Sequence, residues 1–227
     1  MTKRKEYKER DADEAIRKLL EATGKIVREE GFEAITSTKV ARMIGMDPGV
    51  VNKRFGNLNG LKEAYIKTKD YWVFCFEQYM LPEGARDEEI LEMFTGMMLS
   101  SYDFFAADGE MQSIIWSQTG VGNNPLLRRL SEEREAGGAP LLALTDRHFA
   151  DGPVDFRFVA CAIVGASYYP VWHARNNKST VAGIDINLEQ HYKGYRNILA
   201  YLMELAWNDA GRSYTEKPFY GKYLPLT

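Results

Sequence analysis

The chain has 227 residues, of which 45% are hydrophobic and 27% are charged, a balance typical of a globular protein with one large or two small domains. No apolar run approaches the roughly 18 residues that a membrane-spanning helix needs, and the first residues contain no apolar signal core, so we expect neither a membrane span nor a secretory leader. Cys75 and Cys161 both lie in apolar sequence, which predicts buried, reduced thiols and a cytoplasmic protein.

The formal net charge of −3 hides an asymmetry along the chain. Residues 1–60 contain 13 Lys and Arg against 10 Asp and Glu, whereas residues 61–227 contain 16 against 22. A surface that faces phosphates needs local positive charge and not a basic protein. The basic N-terminal part is therefore compatible with nucleic-acid binding, although chance scatter of surface charge gives the same pattern.

Residues 13–30 place apolar side chains at helical spacing, and Gly31 is a suitable C-cap for that helix. Thr36 or Ser37 can cap a short second helix, which we expect to end at Gly45. The basic leader KRKEYKER is predicted to be a solvated tail or an arm for the minor groove.

A third short helix follows almost at once. Asp47 can cap it, Pro48 suits its first turn, and Gly56 closes it just after Phe55. Two short helices joined by a tight turn that contains Gly are typical of a helix-turn-helix. Val51 and Phe55 lie four residues apart and should face the core.

The rest of the chain predicts longer helices. They are expected at about 59–81, 87–107, 110–118, 124–149, 156–177 and 186–208. No strand-like alternation flanked by hairpin turns occurs in the sequence. The predicted fold is all-α, with about nine helices: three short ones at the N-terminus and about six longer ones behind them.

The N-terminal spacing resembles that of the tetracycline-repressor (TetR) family of one-component bacterial regulators over about residues 13–66. The matching positions are Gly31, Phe32, Thr36, Val40, Ala41, Gly45, Gly49, Phe55, Gly56 and Leu61. The resemblance implies a helix-turn-helix DNA-binding domain in residues 1–60 and a helical effector-binding and dimerisation domain in residues 61–227. It also implies a homodimer and a double-stranded DNA operator as partner.

The candidate DNA-binding residues lie at the start of the second helix and on the third. They are Thr36, Ser37, Thr38, Pro48, Gly49, Val50, Asn52, Lys53 and Arg54. Hydroxyls and a helix N-terminus suit phosphates, Val50 can touch a thymine methyl group, and Lys53 or Arg54 can bind guanine edges or phosphates. Taken singly, the same residues are equally well explained as caps, turn residues and a solvated face.

Two positions depart from the TetR pattern. The family usually has Tyr where this chain has Asn52 and Lys where it has Leu58, and both contact DNA phosphates there. Asn52 can still donate to phosphate, whereas Leu58 cannot. These departures motivate an alternative, a ligand-binding helical protein that has lost specific DNA binding.

The body of the chain is rich in aromatic residues, which pack helical cores but also line ligand cavities. The candidate ligand-binding residues are Phe76, Met97, Tyr102, Trp116, Gln118, Tyr169 and His173. This set suits a small hydrophobic or aromatic effector. The last two helices are expected to form the dimer, through the small residues 160–167 and an apolar stripe of Leu188, Tyr192, Tyr195, Ile198, Leu199 and Leu202.

Enzyme chemistry has little support in the sequence. His148, His173 and His191 lack metal-ligand spacing, and no G-x-S-x-G motif occurs. The stretch 120–125 resembles a fragment of a phosphate loop, but it lacks the Lys-Ser/Thr ending and a preceding strand. An enzyme on an all-α scaffold is thus a distant rival. We expect no catalytic residue, metal or cofactor, and a repressor that its effector releases from DNA.

Overall fold

A computed structural model describes residues 3–79, 81–82, 84–122, 124–150, 152 and 154–210, with the backbone alone for residues 3–11, Val73, Phe74 and Glu77. Its α helices, in chain order, are α1 (Lys3–Glu30), α2 (Ser37–Met43), α3 (Gly49–Phe55), α4 (Leu58–Lys67), α5 (Tyr71–Gln78), α6 (Asp87–Ala107), α7 (Gly109–Trp116), α8 (Pro125–Ala143), α9 (Asp146–Phe149), α10 (Phe156–Trp172) and α11 (Glu189–Asn208).

The all-α prediction is confirmed. Three short segments complete the helical structure: a 3₁₀ turn at Phe32–Ala34 and π-helical turns at Ser117–Val121 and His173–Asn177. Among the described residues, β pairing is confined to a single bridge between Val181 and Ile184. None of the described helices combines the length and apolar character that crossing a membrane requires.

Three predicted helix boundaries are wrong, for local reasons. The helix predicted at 124–149 is two helices, α8 and α9, and the Thr145 hydroxyl between them donates to the carbonyl of Leu142 at 2.7 Å. The leader is helical, since α1 begins at Lys3; its Lys, Arg and Glu residues are good helix formers.

The helix predicted at 59–81 is also two helices, α4 and α5. Between them, the Thr68 hydroxyl donates to the carbonyl of Tyr65 at 2.7 Å, and the Asp70 carboxylate accepts from the Trp72 amide at 3.1 Å. These side chains compete with the helical hydrogen bonds and end α4.

The chain divides into two compact units. Unit 1 comprises Met1–Val73 and Asp108–Glu133, and unit 2 comprises Phe74–Ala107 and Arg134–Thr227. The core of unit 1 collects apolar side chains from α1 to α4, α7 and the start of α8. Its fully buried members include Leu19, Phe32, Val40, Val51 and Leu61.

Unit 2 is built around aromatic contacts between α6, α9, α10 and α11. Phe156 lies at their centre, with ring centroids 4.9 Å from Phe94, 5.4 Å from Phe149 and 5.8 Å from Trp207. The His148 ring stacks on Trp207, and its nitrogens lie 3.0 Å from the Asp87 carboxylate and 2.9 Å from the Trp207 carbonyl oxygen. His148 therefore has a structural role in this unit.

The stripe predicted on the last helix divides between two faces. Half of it points inward: Leu199 is buried, and the half-buried Tyr192 and Tyr195 bond within the unit. The other half, Leu188, Ile198 and Leu202, is exposed. Cys161 on α10 is also exposed, against the prediction of a buried thiol, whereas Cys75 is buried. The aromatic C-terminal tail, residues 211–227, lies outside the described residues.

Candidate nucleic-acid interface and effector-binding unit

The turn between α2 and α3 is held by local hydrogen bonds. The Thr36 hydroxyl accepts from the Lys39 amide at 3.2 Å and caps α2, as predicted. The Met46 amide donates to the carbonyl of Ala41 at 2.9 Å, and Gly45 has a φ of 68°, a conformation that favours glycine. The Asp47 carboxylate accepts from the Gly49 amide at 2.8 Å. The two helices therefore meet through a short, fully bonded turn.

Helix α3 is held in place by packing against the core of unit 1. Val51 is fully buried, and Val50 and Phe55 are partly buried against the same core, which confirms the predicted inward face. Gly56 ends the helix with a φ of 78°. Since α3 has only seven residues, this packing and not its own helix propensity holds it in place.

Gly60 permits a close contact between two helices, a role that was not predicted from the sequence. It lies in the first turn of α4, where a Cβ atom would overlap the carbonyl oxygen of Phe55 at the end of α3. The Gly60 amide donates to the Asn57 side chain at 2.9 Å. Only glycine permits this close approach of α4 to α3. In the sequence Gly60 looks like one more loop glycine.

The predicted DNA-binding residues share one exposed surface of α2, the turn and α3. The exposed members are Thr36, Thr38, Pro48, Gly49, Asn52 and Lys53, and the half-buried members are Ser37, Val50 and Arg54. Leu58 packs partly into the core of unit 1. The Leu58 side chain therefore contributes to the packing of unit 1. DNA contact stays a prediction for all nine residues.

The charges of this surface differ from those in the rest of unit 1. Elsewhere in the unit, every Lys and Arg whose side chain is described contacts a carboxylate or, for Lys62, the Phe32 ring. On α2 and α3, Lys39 pairs with Glu30 at 2.6 Å. The side chains of Arg42, Lys53 and Arg54 have no ion-pair or hydrogen-bond partner among the described residues, and the buried Nε of Arg54 is unpaired. Arg42 is a candidate that the sequence analysis did not single out.

A buried polar network joins α1, α4 and α7 inside unit 1. The Glu110 carboxylate, buried at the start of α7, accepts from the Tyr65 hydroxyl and the Arg28 guanidinium and lies 3.2 Å from the Lys69 ammonium. Burial alone would raise the pKa of Glu110, but these three donors outweigh it, so that the pKa lies below its ordinary value. Burial and the hydrogen bond to Glu110 raise the pKa of Tyr65.

The predicted ligand-binding residues do not share one compact unit. Trp116 and Gln118 belong to unit 1, where Trp116 is exposed and Gln118 lines a pocket of about 360 Å³ with Asn124, Pro125, Arg128 and Ser131. The other five belong to unit 2. There Met97 and Tyr102 are buried, Phe76 and His173 are half-buried, and Tyr169 is exposed. Ligand contact stays a prediction for all seven.

The described residues contain no group of three or more His, Cys, Asp and Glu side chains that could bind a metal ion. His191 accepts at Nδ1 from the Asp185 amide at 3.0 Å, and Nδ1 of His173 lies 3.3 Å from the carbonyl of Ser179. Together with His148, each histidine of the chain therefore contacts groups of its own unit.

No protein-family model and no curated protein sequence matches this chain. Solved structures do. A Clostridium perfringens protein assigned to the regulation of fatty acid metabolism matches with a TM-score of 0.59 and 12% identity, covering 82% of this chain and 96% of its own. The transcriptional regulator FadR from Bacillus subtilis, in complex with stearoyl-CoA, matches with a TM-score of 0.55 and 16% identity over 86% and 97%.

Salmonella enterica GusR matches with a TM-score of 0.54 and 15% identity, covering 84% of this chain and 95% of its own. Each of these likenesses spans nearly the whole of the matching chain at low sequence identity. The architecture expected from the N-terminal motif is thus confirmed, and the chain has the fold of the FadR and GusR regulators.

Proposed function

We propose that this protein is a sequence-specific DNA-binding transcriptional regulator, a cytoplasmic repressor that a small hydrophobic effector releases from its operator. The observation that carries the proposal is the group of cations on the helix-turn-helix. Arg42, Lys53 and Arg54 lack carboxylate partners among the described residues, whereas the other cations of unit 1 whose side chains are described have one or pack on a ring. Unpaired cations on an exposed helix pair are what phosphate binding requires.

The geometry suggests a role for each part of the surface. Asn52 and Lys53 are exposed on α3 and suit base edges or phosphates in the major groove, with Arg54 beside them. The exposed Pro48 and Gly49 open α3 and would allow a close approach to the duplex. Thr36, Ser37 and Thr38 offer hydroxyls at the start of α2 to the phosphate backbone. We assign DNA binding to residues 1–60.

We place effector binding in residues 61–227 and expect a largely apolar ligand. Support comes from the aromatic and methionine-rich interior of unit 2 and from the Bacillus subtilis FadR structure, which contains stearoyl-CoA. An acyl thioester is therefore the first effector to test. By linkage, an effector that prefers one conformation of the protein and an operator that prefers another weaken each other's binding.

A homodimer is supported by one outer face of unit 2. Helix α10 exposes Phe158, Cys161 and Tyr169, and α11 exposes apolar residues at helical spacing: Ile198, Tyr201, Leu202 and Leu205. Between these helices lies a groove of about 390 Å³, lined by Phe158, Ile163, Leu202 and Leu205 among others. A contiguous exposed apolar face of this kind typically marks a site of protein–protein interaction. Two copies would each present one helix-turn-helix to a half-site.

The proposal is tested by DNA binding to fragments upstream of the protein's own gene and of neighbouring genes, measured by fluorescence anisotropy. We expect specific binding that weakens steeply with salt and is lost in the double variant Lys53→Ala/Arg54→Ala. The matched control is Arg17→Ala/Lys18→Ala, which removes two cations that are paired with Glu21 and Glu14 on α1.

Other results of this experiment would favour a different function. Equal losses in both double variants would show that total charge and not the α3 surface mediates binding. Absence of specific binding to every fragment would favour the helical ligand-binding protein that has lost its operator. Analytical ultracentrifugation tests the dimer: Leu202→Asp/Leu205→Asp should be monomeric, and the exposed control Glu204→Gln on the same helix should remain dimeric.

A further inference from the structure

Tyr102 has a buried hydroxyl that the fold leaves unused. Its side chain, on α6 in unit 2, is 0% exposed, and its Oη has no hydrogen-bond partner among the described residues. The two tyrosines that contact its ring are different. The Tyr192 hydroxyl donates to the Asp103 carboxylate, and the Tyr195 hydroxyl donates to the Ala166 carbonyl at 2.9 Å. Of three adjoining phenols, only that of Tyr102 is unsatisfied.

A second unsatisfied hydroxyl lies on the same side of α6. Thr95 precedes Tyr102 by seven residues, which is two helical turns, and its buried Oγ1 also lacks a partner in the described part of the chain. Hydroxyls inside helices normally donate to the carbonyl four residues earlier, and Thr23 and Ser167 do so at 2.8 Å. Thr95 does not make this bond.

Unsatisfied buried hydroxyls are rare because each costs about 1–3 kcal/mol. Two of them along one side of one helix point to a molecule that supplies the missing acceptors. The surroundings are apolar and aromatic: Met98 is buried between the two positions, and the Tyr192 ring stacks on Tyr102 with centroids 5.1 Å apart. Burial raises the pKa of Tyr102, so its phenol remains protonated and can donate.

The surroundings of Tyr102 restrict which chemical group could accept a hydrogen bond from its phenol. A carboxylate or phosphate buried beside Tyr102 would need a cation, because an unpaired buried charge is very costly. The Arg196 guanidinium lies nearby on α11, but it is bound to Asp103 at 3.0 Å. A neutral oxygen on an apolar molecule needs no such counterion.

We propose that Tyr102 Oη donates a hydrogen bond to the effector in unit 2, that Thr95 Oγ1, two turns earlier on the same side of α6, faces the same molecule, and that the effector is a largely apolar molecule with a carbonyl oxygen, as in an ester or thioester. This inference rests on the proposed effector response and adds the residue and the ligand group that it recognises.

The first test needs no ligand and uses thermal unfolding of the full-length protein. Tyr102→Phe and Thr95→Val remove hydroxyls that have no hydrogen-bond partner among the described residues, so the melting temperature should stay the same or rise. Tyr195→Phe is the matched control, because it removes a phenol that donates to Ala166, and it should lower the melting temperature. A fall in Tyr102→Phe as large as that in Tyr195→Phe would overturn the proposal.

The second test compares two probes, stearoyl-CoA and S-octadecyl-CoA, a thioether that lacks the carbonyl oxygen. Calorimetry without DNA should show that the wild-type protein binds the thioester about 3- to 10-fold more tightly, the range expected for one neutral hydrogen bond. In Tyr102→Phe this preference should disappear, while Tyr195→Phe should keep it. This comparison is a double-mutant cycle between the phenol and the carbonyl.

The outcomes are distinguishable from those of the DNA experiment. A preference that survives in Tyr102→Phe, or an absence of binding for both probes, would overturn the inference even if operator binding is found. Conversely, a preference that depends on Tyr102 would support it even if no operator is found, and the helical ligand-binding rival would then gain.

Discussion

The two compact units are stabilised in different ways. Unit 1 contains a buried carboxylate, Glu110, that is satisfied by three donors from α1, α4 and the turn after α4, and its apolar core is mostly aliphatic. The interior of unit 2 is largely aromatic, and two of its buried hydroxyls are unsatisfied. Unit 2 also contains directional bonds, for example at His148 and Tyr195, but two of its buried hydroxyls have no acceptor among the described residues. A satisfied buried polar group favours one arrangement of helices, whereas an unsatisfied one is costly. We infer that unit 1 is the more uniquely defined of the two.

The largest effect should come from the centre of unit 2. Phe156→Ala removes a fully buried ring that contacts Phe94, Phe149 and Trp207, and we expect the free energy of unfolding to fall by about 4 kcal/mol. Urea denaturation followed by circular dichroism measures it. Val121→Ala is the control, because Val121 is 59% exposed and lies outside the proposed dimer face, so its truncation should hardly change the unfolding free energy. Similar losses in both variants would refute the aromatic core.

A smaller but still large effect is expected from Gly60 in unit 1. In Gly60→Ala the new Cβ would overlap the Phe55 carbonyl oxygen, so that α3 and α4 must move apart, at a cost of about 2–3 kcal/mol. Hydrogen exchange should show faster opening of α3 and α4 and unchanged protection of α10. In Gly109→Ala, where the added Cβ meets nothing within 4 Å, protection of α3 should be unchanged.

The Glu110 network should have an intermediate effect that depends on pH. Glu110→Gln loses the charge that binds Arg28 and Lys69, and we expect about 2 kcal/mol of destabilisation at pH 7, a modest figure because Arg28 is more than half exposed. The lowered pKa of Glu110 means that its contribution is complete above its ordinary pKa of 4.5 and is lost as the pH falls further. The difference in stability between wild type and variant should therefore shrink below pH 4.5.

The control for this experiment is Glu14→Gln, which removes an exposed carboxylate that pairs with Lys18 on α1. We expect it to change stability far less at pH 7. A wild-type advantage over Glu110→Gln that stays constant down to pH 3 would contradict the idea that the charged carboxylate holds α1, α4 and α7 together.

The smallest effect is expected at the cap of α2. Thr36→Ala removes the side-chain acceptor for the Lys39 amide and should destabilise the protein by about 1 kcal/mol. Thr38→Ala serves as the control, since Thr38 is exposed and caps no helix. Thermal unfolding at low protein concentration distinguishes them. Equal melting temperatures for Thr36→Ala and wild type would leave Thr36 without a structural role and favour a role confined to DNA.

Several elements could be predicted from the sequence because they depend on neighbouring residues. Helix α6 begins and ends where the apolar period does, and Val51 faces the core because its spacing to Phe55 puts both on one side of α3. Caps such as Thr36 act within three residues. The helix-turn-helix and the all-α class follow from local patterns of this kind.

Contacts between distant residues decided the rest. The sequence places Gly60 beside other turn glycines, and only packing reveals that its missing Cβ admits the Phe55 carbonyl. Glu110 is an ordinary charged residue until α1 and α4 bring Arg28 and Tyr65 to it. The sequence of α11 could not show which apolar residues face its own subunit, since apolar side chains occur on both its buried and its exposed side.

Some features of the candidate sites could likewise be predicted from the sequence, whereas others required the structure. The sequence predicts which residues of α3 are exposed, because once the inward side of a seven-residue helix is assigned, the outward side is fixed as well. Within the described part of the chain, Arg42, Lys53 and Arg54 lack carboxylate partners, and Tyr102 and Thr95 lack acceptors. Only the tertiary structure shows this, because partners from distant parts of the chain determine which polar groups are satisfied.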